Sequence, residues 1–259
     1  MKMKPVLTAT LTTLCLAPLA QAEQIRVGFA TEPYPPFATP DASGELHGWE
    51  VDITRAICEA AELDCRIVTT SWDGLIPALT GDKIDFIAAS LSITDKRRET
   101  IAFSDKYYQT PASLAAAQGA ALEPTPEGLA GKTLGVQSAS IHQAYAQAHF
   151  PAATLREYQT QDEANQDLFA GRLDATLADR LIVEQFLDSR QGQLCCEMQG
   201  NVAHDPGTLG EGIGFGIRQD DDALRERLNA AIAEVRADGT YDAITERYFD
   251  FDIYGDADS

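Results

Sequence analysis

Apolar segments with strand-like and helix-like spacing alternate along almost the whole chain, which is the pattern of an α/β protein. The predicted strands cover residues 25–30, 66–69, 84–88, 113–117, 133–136, 154–158 and 173–178. The predicted helices cover residues 51–63, 74–79, 140–149, 162–170 and 179–187. A last helix ends near Gly239, a C-cap candidate, and places four apolar residues on one face: Leu224, Leu228, Ile232 and Val235.

The order of these segments predicts two α/β lobes joined by two chain crossings, near residues 110 and 211. The chain is longer than one core comfortably supports but short for two independent domains, which favours lobes with interwoven segments. We expect residues 23–110 and 213–259 to form one lobe and residues 111–212 the other. Alternating glycines in GEGIGFGIR (210–218) predict an extended segment where backbones pass closely or bend.

Residues 1–22 have the features of a cleavable secretory signal peptide. Lys2 and Lys4 form the positive region, residues 5–19 are mostly apolar, and Ala20-Gln21-Ala22 is the cleavage motif, so cleavage is expected after Ala22. The apolar run is too short and too rich in Thr for a membrane span, and no other segment approaches span length. We therefore expect an exported, periplasmic protein.

The charge of the chain is strongly acidic, with a formal net charge of −20 at pH 7. Both signal-peptide lysines are lost on cleavage, which leaves −22 on the mature chain. Such a surface argues against nucleic acid and anionic membranes as partners. It mildly favours the approach of a cationic solute, although a need for solubility alone also explains it.

Four cysteines follow the signal peptide. Cys58 and Cys65 bracket a predicted helix end, and in an oxidising compartment a local disulfide is the default expectation. Cys195 and Cys196 are adjacent, so they form a vicinal ring, stay free or pair with another chain; we favour a surface-loop pair without a function. A metal site is not expected, because no ligand cluster with these cysteines is visible for His47, His142, His149 and His204.

The segment 84–103 (IDFIAASLSITDKRRETIAF) carries the most chemistry. A predicted strand leads into Ser90 and Ser92, and Thr94 is a helix-cap candidate with Arg97 in the first helical turn. Two hydroxyls and a planar guanidinium at the carboxyl end of a strand suit the capture of a small carboxylate. Taken alone, a capped helix with a solvated arginine explains the same residues, since most arginine is at the surface.

Several motifs together resemble a known family. They are GWEVDI (48–53), WDGLIPAL (72–79), ASLSITDKR (89–97), LFAGRLDATLAD (168–179) and RADGTYDAITERYFDFDIYG (236–255). In this order they resemble the periplasmic solute-binding proteins of polar amino-acid ABC transporters, most of all the lysine/arginine/ornithine- and histidine-binding proteins. The resemblance extends over essentially the whole mature chain, and it includes a disulfide at the spacing of Cys58 and Cys65.

The resemblance implies a two-lobe fold that closes on one amino acid, without covalent chemistry or a cofactor. Carried over by position, Arg97 clamps the ligand α-carboxylate, and Ser90 and Ser92 bind the α-carboxylate and α-ammonium groups. Asp179 receives the α-ammonium, as a carboxylate at a strand end facing a buried cation must. Asp179 is also a helix N-cap candidate, and both roles can coexist.

The second lobe is expected to contribute the backbone amides of Ser140 and Ile141 at a helix N-terminus. Ile141 offers no hydroxyl, and Ala139 stands where many relatives have glycine, which restricts the loop backbone. The resemblance assigns side-chain specificity to three residues of the first lobe. These are an acid for the distal cation, a wall for the aliphatic stem and an aromatic face for cation–π attraction: Glu32, Tyr34 and Trp72.

The function implied is capture of a cationic L-amino acid, of the arginine, lysine, ornithine and histidine class, for delivery to an inner-membrane ABC permease. The family resemblance also implies a monomer. An opine-binding protein is a variant of this class. A periplasmic cyclohexadienyl dehydratase is the enzyme alternative, with Glu32 or Asp179 as a general acid. A sensor ectodomain is disfavoured, because no membrane segment follows the signal peptide.

Overall fold

The computed structural model describes residues 24–255 of the 259-residue chain. The predicted signal peptide and its cleavage site lie outside the described residues. Within the described part of the chain, no helix has the length and apolar character needed to cross a membrane.

Strands and helices alternate as the sequence predicts. The strands are β1 (Gln24–Ala30), β2 (Thr39–Pro40), β3 (Leu46–His47), β4 (Asp64–Thr70), β5 (Phe86–Ile87), β6 (Ala102–Phe103), β7 (Ala112–Ala117), β8 (Thr133–Gln137), β9 (Thr154–Tyr158), β10 (Ala175–Asp179), β11 (Cys196–Asn201) and β12 (Gly216–Ile217). The helices are α1 (Trp49–Ala60), α2 (Leu75–Thr80), α3 (Asp95–Arg98), α4 (Ile141–His149), α5 (Gln161–Phe169), α6 (Arg180–Asp188), α7 (Arg190–Cys195), α8 (Pro206–Leu209), α9 (Asp222–Ala237) and α10 (Thr240–Thr245). A 3-10 turn, Trp72–Gly74, precedes α2.

The first lobe is built on a mixed sheet in the order β4-β1-β5-β12-β6. Strand β1 is parallel to β4 and β5, whereas β12 returns late in the chain and is antiparallel to β5 and β6. Because both faces of such a sheet are covered, β1 buries consecutive residues rather than alternate ones, among them Val27, Gly28 and Phe29. Strands β1 and β5 end on the side that faces the second lobe, and the loops that follow them carry candidate binding residues of the first lobe.

The second lobe has its own sheet, in the order β11-β7-β10-β8-β9. Strand β8 is parallel to β9 and β10, and β7 is antiparallel to β10 and β11. Two separate sheets, the first containing strands from both ends of the chain, confirm the predicted two-lobe α/β fold. The lobe boundaries placed at residues 110 and 212 stay a prediction.

The chain passes between the two sheets twice, from β6 to β7 and from α8 to β12. The two crossing segments are hydrogen-bonded to each other, because Ile213 in the second forms a β-bridge with Tyr108 in the first. Ile213 also forms a β-bridge with Ser92. Gly210 has a φ of +87°, and a Cβ atom there would lie 2.4 Å from the carbonyl oxygen of Ile93. Only glycine fits such a backbone, so the close approach predicted for the glycine-rich segment is confirmed.

Helix α1 is fixed by Trp49, which is fully buried. Its indole Nε1 donates a hydrogen bond of 3.1 Å to the hydroxyl of Thr245 at the end of α10. Tyr241 in the same helix α10 donates through its hydroxyl to the carbonyl oxygen of Tyr107, at 2.7 Å. The C-terminal helices thus hold both α1 and the first crossing segment in place, and with them Glu50, the residue after Trp49.

Several elements were not predicted, among them the short strands β2, β3 and β6 and the short helix α8. Helix α7 (RQGQLC) lacks an apolar period, and β11 (CEMQGN) is a largely polar strand at the edge of its sheet. Gly239, with a φ of +84°, follows the last turn of α9 as expected, but the chain then continues into the short helix α10.

The two cysteine pairs have different outcomes. The predicted disulfide between Cys58 and Cys65 is present and joins α1 to β4. The prediction of a surface-loop pair at Cys195 and Cys196 is wrong. Cys195 ends α7, Cys196 begins β11 and is buried, and their sulfur atoms are bonded to each other.

Candidate ligand-binding site

All nine residues predicted to bind ligand line a single cleft between the lobes. Both lobes contribute. In the first lobe, strand β5 ends near the cleft and helix α3 lies beside it; in the second lobe, strand β10 ends at the cleft and helix α4 begins there. From the first lobe come Glu32, Tyr34, Trp72, Ser90, Ser92 and Arg97; from the second come Ser140, Ile141 and Asp179. The cleft also contains residues that the sequence did not single out, above all Glu50 and Tyr108.

Arg97 lies in the short helix α3, where the side chain of Thr94 accepts a hydrogen bond from its backbone N–H. Its guanidinium donates to the carbonyl oxygen of Ser92 at 2.9 Å and, across the cleft, to that of Ala139 at 3.5 Å. Loss of solvent lowers the pKa of Arg97 to about 10. Among the ion pairs of residues 24–255, none includes Arg97, so its charge is available for an anionic ligand.

Asp179 ends β10 and is the N-cap of α6, as its alternative interpretation predicted. One carboxylate oxygen accepts the backbone N–H of Leu181 at 2.8 Å, and the other accepts the hydroxyl of Thr110. Asp179 is only 9% exposed, and this burial raises its pKa to about 6 despite the hydrogen bonds. No basic side chain is paired with it in the described part of the chain, so its negative charge is not balanced by a side chain of the protein.

Ser90 follows β5 with a φ of +53°, in the left-handed region that residues other than glycine rarely adopt. Glu50 holds it there: its Oε1 accepts the backbone N–H of Ser90 at 2.6 Å, and its Oε2 accepts the hydroxyl at 3.0 Å. The hydroxyl of Tyr107 also donates to Glu50 Oε1. Burial raises the pKa of Glu50, which is 1% exposed.

Glu50 was not predicted to lie in the cleft, although it belongs to the motif GWEVDI. An acid in the first turn of a helix normally faces solvent and interacts with the helix dipole, as its neighbour Asp52 does. The signal that could have found it is its position between Trp49 and Val51, two residues that are fully buried.

The second-lobe loop between β8 and α4 presents backbone groups to the cleft rather than a free hydroxyl. Ala139 has a φ of +56°, so this alanine occupies the glycine-like conformation of the loop. The hydroxyl of Ser140 donates to the carbonyl oxygen of Gln137 at 2.7 Å and accepts the N–H of Gln143 at 3.1 Å, as the N-cap of α4. That hydroxyl is therefore committed, whereas the N–H of Ile141 opens the helix, where no intrahelical acceptor exists.

The three residues assigned to side-chain specificity line the same cleft, and two of them, Glu32 and Trp72, are in direct contact. Trp72 begins the 3-10 turn, and its backbone N–H donates to Glu32 Oε2 at 3.1 Å. The guanidinium carbon of Arg97 lies 5.6 Å from the centre of the Trp72 ring, within cation–π range. Tyr34 stacks on Phe37 with ring centres 5.7 Å apart, which fixes its orientation at the cleft.

The family to which this fold and cleft belong follows from sequence comparison. The family model of bacterial extracellular solute-binding proteins, family 3, matches residues 25–251. This chain belongs to that family. The lysine/arginine/ornithine-binding periplasmic protein of Escherichia coli K12 is 40% identical over 249 residues, which is 95% of each chain.

Two further comparisons agree. The histidine-binding periplasmic protein of Salmonella typhimurium is 40% identical over 237 residues, or 90% of each chain. A solved Salmonella typhimurium periplasmic binding protein with high arginine specificity matches with a TM-score of 0.79 at 30% identity. That match covers 88% of this chain and 100% of the other.

In this family 3 protein the cleft also contains His142, which was not among the residues predicted to bind ligand. His142 is 9% exposed, and burial together with the charge of Arg97 lowers its pKa to about 4. It is therefore neutral at neutral pH and adds no positive charge beside Arg97. Within residues 24–255, no group of three or more His, Cys, Asp or Glu side chains could hold a metal ion.

We expect the carboxyl group of Asp179 to make the unliganded protein less stable as the pH rises from about 4 to about 6. Its pKa is raised from an ordinary 3.8 to about 6 in the folded chain, so the folded state binds this proton more tightly than the unfolded state does. That advantage is complete below the unfolded pKa and is lost as the pH rises through the folded pKa, at a cost of about 3 kcal/mol.

Asp179→Asn keeps a cap for α6 and does not titrate. Urea unfolding between pH 4 and pH 7 should therefore show the wild type losing stability relative to this variant as the pH rises. A difference that stays flat, or that favours the wild type at higher pH, contradicts the raised pKa.

Proposed function

We propose that this protein is a periplasmic binding protein that captures one cationic L-amino acid of the arginine, lysine, ornithine and histidine class. In this proposal the chain is exported with cleavage after Ala22, acts as a monomer, and delivers its ligand to an inner-membrane ABC permease. The names of its relatives, which bind lysine, arginine, ornithine or histidine, support this assignment. Binding and release involve no covalent step.

One observation carries the proposal: Arg97 and Asp179 line the same cleft, and each is desolvated without a partner of opposite charge in residues 24–255. Burial shifts each pKa in the direction that favours the neutral form of the group. An ion pair between Arg97 and Asp179 would shift both pKa values in the direction that favours the charged forms. An unpaired buried charge is costly, and a zwitterion relieves both costs at once. The α-carboxylate would meet Arg97 and the backbone N–H of Ile141, and the α-ammonium would meet Asp179.

The charge balance of the cleft supports a cationic side chain. Three carboxyl groups line the described cleft, on Glu32, Glu50 and Asp179, against the single guanidinium of Arg97. A neutral amino acid would leave this excess of acid unchanged, whereas a guanidinium or ammonium side chain reduces it. That side chain would lie beside Glu32 and Trp72, which are in contact, with Tyr34 as a further wall of the same cleft.

Closure follows from the way the cleft is divided between the lobes. Arg97 belongs to the first lobe and Asp179 to the second, so a bound amino acid connects them and stabilises the closed form. Periplasmic binding proteins are a general example of hinge closure around a ligand. The ligand shifts the equilibrium only by its differential affinity for the closed form, and that form would be what the permease recognises.

The first test is a thermal-shift panel on ligand-stripped mature protein with the common amino acids, ornithine and octopine. A ligand that binds the native state alone adds about 2.7 kcal/mol of apparent stability at a hundredfold excess over its Kd. We expect shifts confined to arginine, lysine, ornithine or histidine. A shift with octopine alone would indicate an opine-binding protein, and turnover of prephenate or arogenate would indicate the dehydratase.

Arg97→Ala should weaken every ligand in the panel, because it leaves the α-carboxylate buried without a partner. Such a loss costs about 3–5 kcal/mol, which corresponds to an increase in Kd of between about a hundredfold and a few thousandfold. Isothermal titration calorimetry measures it. The matched control is Arg98→Ala, which removes an exposed neighbour paired with Glu211 and should leave Kd within about threefold. Equal effects of the two variants would refute the assigned role of Arg97.

Glu32→Gln should weaken arginine and lysine about tenfold and leave neutral amino acids almost unaffected, because it removes the charge facing the distal cation but keeps an acceptor for the Trp72 N–H. Titration calorimetry with both ligand classes separates the two effects. Glu45→Gln, at an exposed acid paired with Arg55, is the control for a general loss of negative charge. Equal weakening of cationic and neutral ligands by Glu32→Gln contradicts this role.

A further inference from the structure

The hydroxyl of Ser90 is held by Glu50, an acid of helix α1. Glu50 contacts Ser90 twice, at the backbone N–H (2.6 Å) and at the hydroxyl (3.0 Å). Both residues line the cleft. The two contacts fix the left-handed backbone of Ser90 and the direction of its side chain together.

The direction of these hydrogen bonds is set by the donors around Glu50. Its Oε1 is occupied by two donors, the Ser90 N–H and the Tyr107 hydroxyl, and its Oε2 receives the Ser90 hydroxyl. Burial raises the pKa of Glu50, but the hydrogen bonds from Tyr107 and Ser90 act in the opposite direction and favour the carboxylate, which accepts hydrogen bonds and does not donate them. The one proton of the Ser90 hydroxyl is therefore used on Glu50, and its lone pairs are what remain for a ligand.

We propose that Glu50 is a positioning residue that makes Ser90 a pure hydrogen-bond acceptor in the cleft, and so selects ligands with an α-ammonium group. This inference rests on the proposed function, and it divides the head-group contacts. Ser90 then serves the α-ammonium together with Asp179, while the α-carboxylate depends on Arg97 and backbone N–H groups. Glu50 itself acts through Ser90 rather than on the ligand.

Glu50→Gln tests the proposal because it nearly preserves volume but reverses one hydrogen bond. The amide oxygen of the new side chain would still accept from the Ser90 N–H and from Tyr107. Its NH2 group would then face the Ser90 hydroxyl and donate to it, which turns the serine proton toward the cleft. A proton aimed at an ammonium replaces an attractive contact with a repulsive one.

The readout is a ratio of two dissociation constants, which a merely structural role would not move. The probe pair is the amino acid that binds best in the panel and its des-amino analogue, which for arginine is 5-guanidinopentanoate. In the wild type the amino acid should bind far more tightly. Glu50→Gln should reduce that preference by about tenfold or more, the effect of one charge-assisted hydrogen bond. Glu59→Gln, an exposed acid on the same helix α1, should leave it unchanged.

The background variant Ser90→Ala shows whether Glu50 acts through the serine. Ser90→Ala alone should reduce the preference, and adding Glu50→Gln to it should reduce it no further. Ser90→Ala also tests the proposal if Glu50→Gln fails to fold, as thermal unfolding without ligand would reveal. An unchanged preference in Ser90→Ala, or an equal further loss in the double variant, overturns the inference alone. If the wild type binds no amino acid, the proposed function fails and this inference with it.

Discussion

The cleft depends on one constraint. Two opposite charges, on Arg97 and Asp179, are withdrawn from water without being paired to each other. Arg97 is held by main-chain carbonyl oxygens, and Asp179 by a helix N-terminus and a hydroxyl. These neutral contacts fix each group in position but do not repay the loss of solvent, as the direction of both pKa shifts indicates. Under the proposed function, a zwitterionic ligand would supply both missing charges together.

The positions of these charges explain why the fold needs two lobes. Arg97 follows β5 of the first sheet, and Asp179 ends β10 of the second, so neither sheet alone presents both charges. The hydrogen bond from Arg97 to the carbonyl oxygen of Ala139 already crosses the cleft. Leu181, at the start of α6, belongs to the same buried cluster as the first-lobe core. Closing the lobes therefore brings apolar surfaces together as well as charges, which favours one well-defined closed form.

Much of this could be predicted from the sequence where the information is local. The alternation of strands and helices, the Thr94 cap and the N-cap at Asp179 each depend on a few neighbouring residues. The close approach at Gly210 was predicted from neighbouring glycines, although its partner Ile93 is distant in the sequence. What the sequence could not supply depends on distant partners. Glu50 becomes a buried acceptor only because Ser90 and Tyr107, 40 and 57 residues away, are packed onto it. Strand β11 is polar, and its pairing with β7 rather than its own composition makes it a strand.

The two serines at the cleft differ in what their hydroxyl groups already bind. Ser90 and Ser140 each follow the end of a strand, β5 and β8, by three residues. In the structure, the Ser140 hydroxyl donates to Gln137 and accepts from Gln143, which leaves its loop with backbone N–H groups to offer. The Ser90 hydroxyl donates to a carboxylate and keeps free lone pairs. One serine thus belongs to a donor surface and the other to an acceptor surface. A zwitterion needs both, so under the proposed function its orientation in the cleft would be decided by what each hydroxyl already binds.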